Sequence, residues 1–297
     1  MKRIDPITKP LRGEITVPGD KSIAHRAVIL ASIAQGRSRI YNLSGGDDNS
    51  RTAGALRQMG VEIYRDQDAL CVEGKGFDGL RAPAETIDCG NSGTTMRLLS
   101  GLLAGRPFRS QLDGDSSLRQ RPMQRVIEPL SLMGAKIVSK SGNGRAPLKI
   151  EGGGLHGIQY RMPISSAQVK SAILLAALQA QGTTTLEEPL KSRDHTEVML
   201  RGFGGEIAVH SRTIALKGGQ TLCGQDVSIP GDLSSAAFFF VAAAMIPGPE
   251  PNLAAAARVL RRFGLVVRCR GGVLHQSQRV SRSGTVTRRL AHQCPEQ

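Results

Sequence analysis

The chain alternates short apolar runs with glycine-rich turns, and four of those turns open the same kind of segment. Each segment starts with a turn rich in Gly, Pro or Ser, continues with small hydroxyl residues, and then runs through about three helical turns of apolar residues. The four segments begin at Val17, Asp88, Met162 and Ile229. Serine suits the position before a helix and glycine the position after it. The pattern therefore predicts four apolar helices with polar groups at their N-termini.

A second motif follows each of the first three segments. It ends a helix at a glycine and resumes with a strand, as in LRQMGVEI from Leu56, LSLMGAKI from Leu130 and LRGFGGEI from Leu200. Short stretches such as ALCVEG and TIALKG come next and are typical of paired strands. The predicted unit is strand–helix–strand–helix–strand–strand, repeated about every 70 residues.

Three such units can stack around a pseudo-threefold axis, with the N-termini of their first helices on one face. A helix N-terminus exposes unpaired N–H groups and partial positive charge, which favour an anion. The polar groups at the three N-termini are Lys21, Ser22 and Arg26; Ser92 to Thr95 and Arg97; and Ser165, Ser166 and Gln168. Taken singly, each set can be an ordinary helix cap. Their convergence favours a site for phosphate or carboxylate groups.

Composition restricts the kinds of protein that fit. The 297 residues are 40% hydrophobic and 3% aromatic, enough for one large or two medium globular domains. The net charge of +14 is uneven, because residues 251–297 hold nine arginines, no lysine and one acid, a net charge of +8. A positive balance suits anionic small molecules as well as nucleic acid. The scarcity of aromatic residues for base stacking makes nucleic acid the weaker interpretation.

Cysteine usage and apolar run length indicate the compartment. Five cysteines, at positions 71, 89, 223, 269 and 294, are widely spaced and form no C-x-x-C pair, which favours reduced thiols over disulfides or a zinc cluster. The longest apolar run, AAFFFVAAAMI, is too short to span a membrane, and MKRIDPITKP at the start has no signal-peptide core. We therefore expect a soluble, cytoplasmic protein.

Six segments, in a fixed order, resemble one family. PGDKSIAHR, GNSGTTMR, GDSSLRQRPM, SSAQVKSAILLA, KSRDHTE and PGDLSSAAFF are similar to the bacterial-type EPSP synthases, 3-phosphoshikimate 1-carboxyvinyltransferases, over about residues 11–247. The resemblance implies transfer of the enolpyruvyl group of phosphoenolpyruvate to the 5-hydroxyl of shikimate 3-phosphate, with release of phosphate. It implies no metal or organic cofactor. A monomer without nucleic-acid or membrane partners is expected.

The resemblance also implies a fold of the α/β class. The expected architecture is an inverse α/β barrel domain of three βαβαββ units, together with a second domain of the same kind. The expected organisation is an N-terminal strand of the second domain at 1–17, a complete three-unit domain at 18–228, the start of the second domain at 229–250, and a divergent Arg-rich tail at 251–297.

By resemblance, two overlapping sets of residues bind the substrates. The shikimate 3-phosphate set is Lys21, Ser22, Arg26, Ser166, Gln168 and Arg193. The phosphoenolpyruvate set is Lys21, Gly93, Arg121 and Gln168. Lys21 is the expected catalytic residue and serves as a proton donor. Gly93 lets the phosphate approach backbone N–H groups, and the planar guanidinium of Arg121 can bind two of its oxygens at once. Ser22, Ser166, Lys21 and Arg26 can also be simple caps or solvated cations.

Further polar residues of these motifs have other expected roles. Arg97 is expected to tie its helix to a neighbour, and His25 and His195 to make ordinary hydrogen bonds. Asp47 and Asp48 either line the cleft or cap a loop.

The resemblance fails after Pro247, where the family's second domain continues. The composition of the tail favours a frameshift or premature truncation near residue 250 over a genuinely divergent basic tail. The family motifs that face the first domain across the cleft are not visible, so we expect impaired or lost turnover. The alternatives are a catalytically inactive fragment that binds shikimate 3-phosphate, and a basic protein that binds nucleic acid through the tail.

Overall fold

The computed structural model describes residues 16–245, 266–270 and 273–277. The chain divides into two compact units, Lys21–Ile229 on one side and Met1–Asp20 with Pro230–Gln297 on the other. Most of the strand expected at 1–17 and most of the tail at 251–297 lie outside the described residues.

The unit Lys21–Ile229 contains three repeats. The first holds α1 (Lys21–Ile33), β1 (Ala34–Tyr41), α2 (Asp47–Gln58), β2 (Glu62–Asp66) and β3 (Ala69–Lys75). The second holds β4 (Ile87–Asp88), α3 (Gly93–Ala104), β5 (Arg109–Asp113), α4 (Gln124–Leu132), β6 (Lys136–Ser139) and β7 (Leu148–Glu151). The third holds β8 (Gln159–Arg161), α5 (Ala167–Ala177), β9 (Thr183–Glu187), α6 (His195–Gly202), β10 (Ile207–His210) and β11 (Thr213–Lys217). The unit closes with β12 (Leu222–Cys223) and β13 (Asp226–Ser228).

Each repeat forms its own sheet. The second and third sheets have the strand orders β4-β5-β7-β6 and β8-β9-β11-β10, in which the first pair is parallel and the others are antiparallel. The second and third repeats therefore follow the predicted βαβαββ order.

The first repeat takes its leading strand from the far end of the unit. β13 lies parallel to β1, with Asp226 opposite Arg39 and Ser228 opposite Tyr41, while β12 pairs with the start of β1. The break between β12 and β13 falls at Gly224, where a Cβ would lie 2.4 Å from the carbonyl oxygen of Arg37. The last strand pair thus completes the first sheet and ties the two ends of the unit together.

Helices α1, α3 and α5 form the centre of the unit. They are apolar on nearly all sides, and almost every residue in them is buried, as expected for helices surrounded by protein. Strands of the second and third sheets alternate buried and exposed positions, so one face of each sheet covers this core, whereas four successive residues of β3 in the first sheet are buried. Helices inside and sheets outside make the predicted inverse α/β barrel. α3 and α5 meet at Gly101, where a Cβ would lie 2.1 Å from the carbonyl oxygen of Ala172.

Glycines end the second helix of every repeat as the motif predicted. Gly60, Gly134 and Gly204 have φ of +86°, +109° and +85° and follow α2, α4 and α6. This left-handed conformation is accessible to glycine at little cost and stops the helix. The first helix differs from the prediction. Gly36 lies inside β1, because α1 passes directly into that strand.

The described part of the other unit contains α7 (Leu233–Met245), β14 (Val266–Arg270) and β15 (Val273–Ser277), the last two paired antiparallel. Asp232 caps α7 by accepting the N–H of Ser234 at 2.8 Å. Phe238 on this helix is 79% exposed. In the described ranges, no helix combines the length and apolar character needed to cross a bilayer.

Candidate anion-binding site

The first turns of α1, α3 and α5 are in direct contact. Gln168 on α5 donates from Nε2 to Thr94 Oγ1 on α3 at 2.9 Å, and Arg26 on α1 donates from Nη2 to the carbonyl oxygen of Ala167 on α5 at 3.2 Å. Ser92 caps α3 by accepting the N–H of Thr95 at 3.1 Å, and Ser166 caps α5 by accepting the N–H of Val169 at 3.4 Å. The polar N-termini of the three repeats therefore share one region.

Lys21 is the first residue of α1, and its ammonium is paired. Lys21 Nζ lies 2.8 Å from Asp48 Oδ2, and the Lys21 side chain is 52% exposed. Asp47, the neighbouring carboxylate, contacts Arg51 at 3.3 Å instead. Of the two adjacent aspartates, Asp48 is therefore the one that holds the lysine in place.

Arg26 is buried, with 4% of its surface exposed. All three of its guanidinium nitrogens donate hydrogen bonds: Nε to Thr196 Oγ1 at 2.8 Å, Nη1 to the Ser22 carbonyl at 2.7 Å, and Nη2 to Ser171 Oγ at 2.7 Å and to Ala167. Arg26 thus joins the starts of α1, α5 and α6. Because its donors are engaged inside the protein, this geometry makes Arg26 a residue that positions Ser22 and the first turn of α5.

Gly93, Arg97, Arg121 and Gln168 lie together at the start of α3. Arg97 Nη1 donates to Gln168 Oε1 at 2.8 Å, so the expectation that Arg97 ties its helix to a neighbour is confirmed. A Cβ at Gly93 would lie 2.7 Å from Arg97 Nη1 and 3.2 Å from Arg121 Nη1. Glycine at this position therefore lets two guanidiniums approach the helix N-terminus.

The charges around Gly93 are unbalanced. Burial is the main cause that lowers the pKa of Arg97, and the neighbouring cations Arg121 and Arg125 lower it further. In the described part of the chain, these three guanidiniums make no ion pair with a carboxylate, whereas Arg119 is paired with Asp113 at 2.6 Å. Like charges gathered without a directly ion-paired carboxylate favour a bound anion. We name Arg97, Arg121 and Arg125 the arginine cluster.

Asn91 holds one member of the arginine cluster. Arg121 Nη2 donates to Asn91 Oδ1, and Asn91 Nδ2 donates to Asp115 Oδ2 at 2.8 Å. Asp115 in turn accepts the backbone N–H of Leu118 at 2.7 Å, and this hydrogen bond is the main cause that lowers the pKa of Asp115. The chain of contacts fixes Arg121 on the loop between β5 and α4 through Asn91, without a direct ion pair to Asp115.

A buried ion triad lies beneath the start of α5. Lys170 Nζ lies 2.9 Å from Glu188 Oε2 and 2.6 Å from Glu197 Oε1, and all three side chains are no more than 3% exposed. Glu188 also accepts a hydrogen bond from Ser192 Oγ. The triad therefore binds α5 to the segment between β9 and α6. A buried ion group of this kind is strongly destabilised when one partner is removed.

Arg193 stands apart from the other predicted residues. It is exposed, and in the described ranges it makes no hydrogen bond or ion pair. Its segment is nevertheless anchored, because Ser192 contacts the buried triad and the N–H of Leu190 donates to Ser165 Oγ at 2.9 Å. The described contacts thus join Arg26 to Ser22 and to the start of α5, and bring Gly93, Arg121 and Gln168 to the start of α3. Arg193 makes no described contact with these residues.

Some residues of this region carried little signal in the sequence. Arg125 follows Arg121 by four positions in RQRPMQR, and that spacing was its only indication. Asn91 lies inside the GNSG motif, but its role depends on Arg121 coming close in space. Lys170 occupies a position in an apolar helix where the pattern alone gives no partner.

The fold and the site define an α/β domain with a candidate anion-binding site where the N-termini of three repeated helices meet. Comparison with known proteins identifies the family. The family model for EPSP synthase (3-phosphoshikimate 1-carboxyvinyltransferase) matches residues 6–250, and the chain belongs to this family. This confirms the resemblance inferred from the six sequence motifs.

Similar proteins include curated bacterial enzymes and a solved structure. The chain is 52% identical to the 3-phosphoshikimate 1-carboxyvinyltransferase of Geotalea daltonii, over 82% of this chain and 56% of that protein. It is 50% identical to the enzyme of the same name from Bacillus licheniformis, over 86% of this chain and 58% of that protein. An EPSP synthase structure from Acinetobacter baumannii matches with a TM-score of 0.78 and 43% identity, over 89% of this chain and 62% of that chain. The chain thus spans little more than half the length of these curated relatives.

Proposed function

We propose that this chain supplies one domain's half of a site that transfers the enolpyruvyl group of phosphoenolpyruvate to the 5-hydroxyl of shikimate 3-phosphate, with release of phosphate. The observation that carries the proposal is the arginine cluster, of which Arg97 and Arg121 lie beside Gly93 at the start of α3 and no member forms an ion pair with a described carboxylate. A phosphate ester supplies the missing negative charge and accepts hydrogen bonds from guanidinium and backbone N–H groups.

The phosphoenolpyruvate end of the site uses four residues. Arg121 binds the phosphate, and Gly93 leaves room for the same group at the start of α3, where its own N–H donates to the Asn91 carbonyl oxygen at 3.1 Å. Gln168 lies beside both, with its carboxamide oriented by Arg97 and Thr94. Lys21 donates the proton to the methylene carbon, and its contact with Asp48 at 2.8 Å holds the ammonium at the mouth of α1.

The shikimate 3-phosphate end lies between α1, α5 and α6. Ser22, Ser166 and Gln168 contact the shikimate moiety, with Lys21 shared between the two substrates. Arg193, which is exposed and has no described ion partner, meets the 3-phosphate. Arg26 contributes by aligning Ser22 with the first turn of α5, since its nitrogens all donate to protein atoms.

Transfer needs more than binding. A base must accept the proton of the 5-hydroxyl as its oxygen attacks C2, and an acid must protonate C3. Phosphate then leaves C2 while C3 gives up a proton, which restores the carbon–carbon double bond. Lys21 fills the role of the acid, and we assign no base among the described residues. This observation favours a second candidate function, binding of shikimate 3-phosphate without turnover.

Two measurements separate these functions. Release of inorganic phosphate from the purified chain, given both substrates, supports enolpyruvyl transfer, and its absence contradicts turnover by the chain alone. Calorimetry with shikimate 3-phosphate tests the half-site, for which we expect weak binding that Arg26→Ala abolishes. Unchanged binding in that variant would refute the role of Arg26.

We also propose a cytoplasmic, monomeric protein. The free thiols Cys71 and Cys89 are both buried, and burial raises the pKa of Cys89 to about 12, which suits a reduced, unreactive cysteine. Binding of nucleic acid by the Arg-rich tail stays a prediction that lies mostly outside the described residues. Deletion of residues 251–297 tests it, because salt-sensitive DNA binding, where present, should then disappear.

A further inference from the structure

A chain of four buried polar side chains connects α1, α2 and α3. His25 Nδ1 lies 2.7 Å from Thr52 Oγ1, Thr52 Oγ1 lies 2.7 Å from Thr95 Oγ1, and Thr95 Oγ1 lies 2.7 Å from Ser92 Oγ. All four residues are at most 1% exposed. We name this set the hydroxyl chain.

The hydroxyl chain has a defined donor order. Thr95 has a single hydroxyl hydrogen and donates it to Ser92, so Thr52 must donate to Thr95. The Nδ1–H of His25 must then donate to Thr52. This tautomer leaves Nε2 without a hydrogen; Nε2 is buried and has no hydrogen-bond partner among the described residues. The order of donors therefore runs from α1 towards the cap of α3.

The chain ends at groups that the proposed site uses. Ser92 is the N-cap of α3 and directly precedes Gly93, whose N–H donates to the Asn91 carbonyl oxygen at 3.1 Å beside the proposed phosphate position. Thr95 also approaches the carbonyl oxygen of Asp48 at 3.3 Å, and the Asp48 carboxylate holds Lys21. The middle of the hydroxyl chain thus lies between the Lys21–Asp48 pair and the start of α3.

We propose that the hydroxyl chain positions the N-terminus of α3 relative to Lys21, so that Thr52 and Thr95 set the affinity for the phosphate bound at Gly93. The inference rests on the proposed function, because it takes the start of α3 as the phosphate site. Neither threonine touches the ligand. Each acts through the Ser92 cap, and both are fully buried.

The test compares substitutions that separate the hydroxyl from the volume of Thr52. Thr52→Val keeps the volume and removes the hydroxyl, whereas Thr52→Ser keeps the hydroxyl and removes a buried methyl group. We expect Thr52→Val to bind phosphoenolpyruvate about fivefold more weakly, and Thr52→Ser to bind like the wild type. The titration is followed at the Gly93 amide by ¹⁵N NMR. An effect that acts only through stability would lower affinity in both variants.

Thr184→Val is the matched control. Thr184 is a buried threonine in β9 whose hydroxyl has no hydrogen-bond partner, so its removal should leave phosphoenolpyruvate affinity unchanged. No binding by the wild-type chain would overturn the proposed function itself. Wild-type binding that Thr52→Val leaves unchanged would overturn only the inference.

A second measurement needs no substitution. The ring ¹⁵N shifts of His25 distinguish the two neutral tautomers, and the donor order requires the proton on Nδ1. A proton on Nε2 would contradict the donor order and with it the hydroxyl chain as drawn. Thr95→Val, which interrupts the chain one residue further on, should reproduce the weaker binding of Thr52→Val, and wild-type affinity in that variant would contradict the inference.

Discussion

Arg26 and Arg121 are both expected ligands of an anionic substrate, yet the structure surrounds them differently. Arg26 is 4% exposed and donates from every nitrogen to protein atoms on three helices. Arg121 belongs to a cluster of three guanidiniums, with an asparagine as its described partner. A cation whose donors are engaged inside the protein holds the structure together, whereas cations that form no direct ion pair with a carboxylate can stabilise a bound anion. The two ends of the site therefore differ in what each charge does.

Replacing Arg26 and Arg121 separately by alanine should distinguish the structural role from the binding role with the largest effect. Arg26→Ala should lower the free energy of unfolding by about 4 kcal/mol, because Thr196, Ser171 and two carbonyl groups lose a buried donor. Arg121→Ala should change it by less than about 1 kcal/mol but abolish phosphate binding at α3. Urea unfolding and calorimetry measure the two effects.

Arg37→Ala serves as the control for both variants. Arg37 is 52% exposed and pairs with Glu73 on the surface, so its loss should affect neither stability nor binding by a large amount. Equal stability losses in Arg26→Ala and Arg121→Ala would remove the distinction between the two ends.

The buried imidazole of His25 should make the free energy of unfolding depend on pH. Burial lowers the pKa of His25 from 6.5 to about 4, with Arg26 and Lys21 adding to the effect and Asp48 opposing it. Between these two pH values the unfolded chain binds a proton that the folded chain does not. Stability should therefore fall as pH drops from about 6.5 to about 4, by up to about 3 kcal/mol.

The contribution of His25 is measured as a difference. Urea unfolding at about pH 7 and about pH 4.5 is compared for the wild type and His25→Gln, which cannot take up the proton. Carboxylates titrate in both proteins. Only the part of the pH-dependent stability loss that disappears in His25→Gln therefore belongs to His25. Identical losses on acidification would contradict a buried, neutral imidazole.

Gly93→Ala tests the arginine end with a smaller change. The added Cβ would lie 2.7 Å from Arg97 Nη1 and 3.2 Å from Arg121 Nη1, so both guanidiniums must move. We expect phosphoenolpyruvate to bind about tenfold more weakly, with little change in stability because the obstructing atoms are side-chain ends. Gly54→Ala in α2 is the control, since a Cβ there meets nothing within 4 Å. Equal affinity for Gly93→Ala and the wild type would contradict the crowding of this helix start.

The three repeats and the ends of their second helices could be predicted from the sequence, because the patterns that indicate them are local. Gly60, Gly134 and Gly204 each follow an apolar helix and precede a strand, and the left-handed conformation that only glycine adopts readily explains the pattern. The six family motifs, read together, also located the polar first turns of α1, α3 and α5. Each of these features depends on residues that are close together along the chain.

The remaining features depend on contacts between distant residues. β13 completes the first sheet by pairing with β1, and no local pattern near Asp226 indicates that partner. The engagement of Arg26 with Thr196 joins residues from the first and third repeats. The pairing of Lys170 with Glu188 and Glu197 likewise requires the fold. The sequence shows which residues are charged. It does not show which of these charges are engaged inside the protein and which are available to a ligand.

An anion site at the start of α3 is tested most directly by NMR titration of the ¹⁵N-labelled chain with inorganic phosphate, compared with the same titration of Arg121→Ala. We expect saturable chemical-shift changes of the Gly93 and Thr94 amides in the wild type and their loss in Arg121→Ala. The Arg26 side-chain signals should stay unchanged in both proteins. Shifts that leave Gly93 and Thr94 unaffected, or that persist in Arg121→Ala, would contradict an anion site at the start of α3.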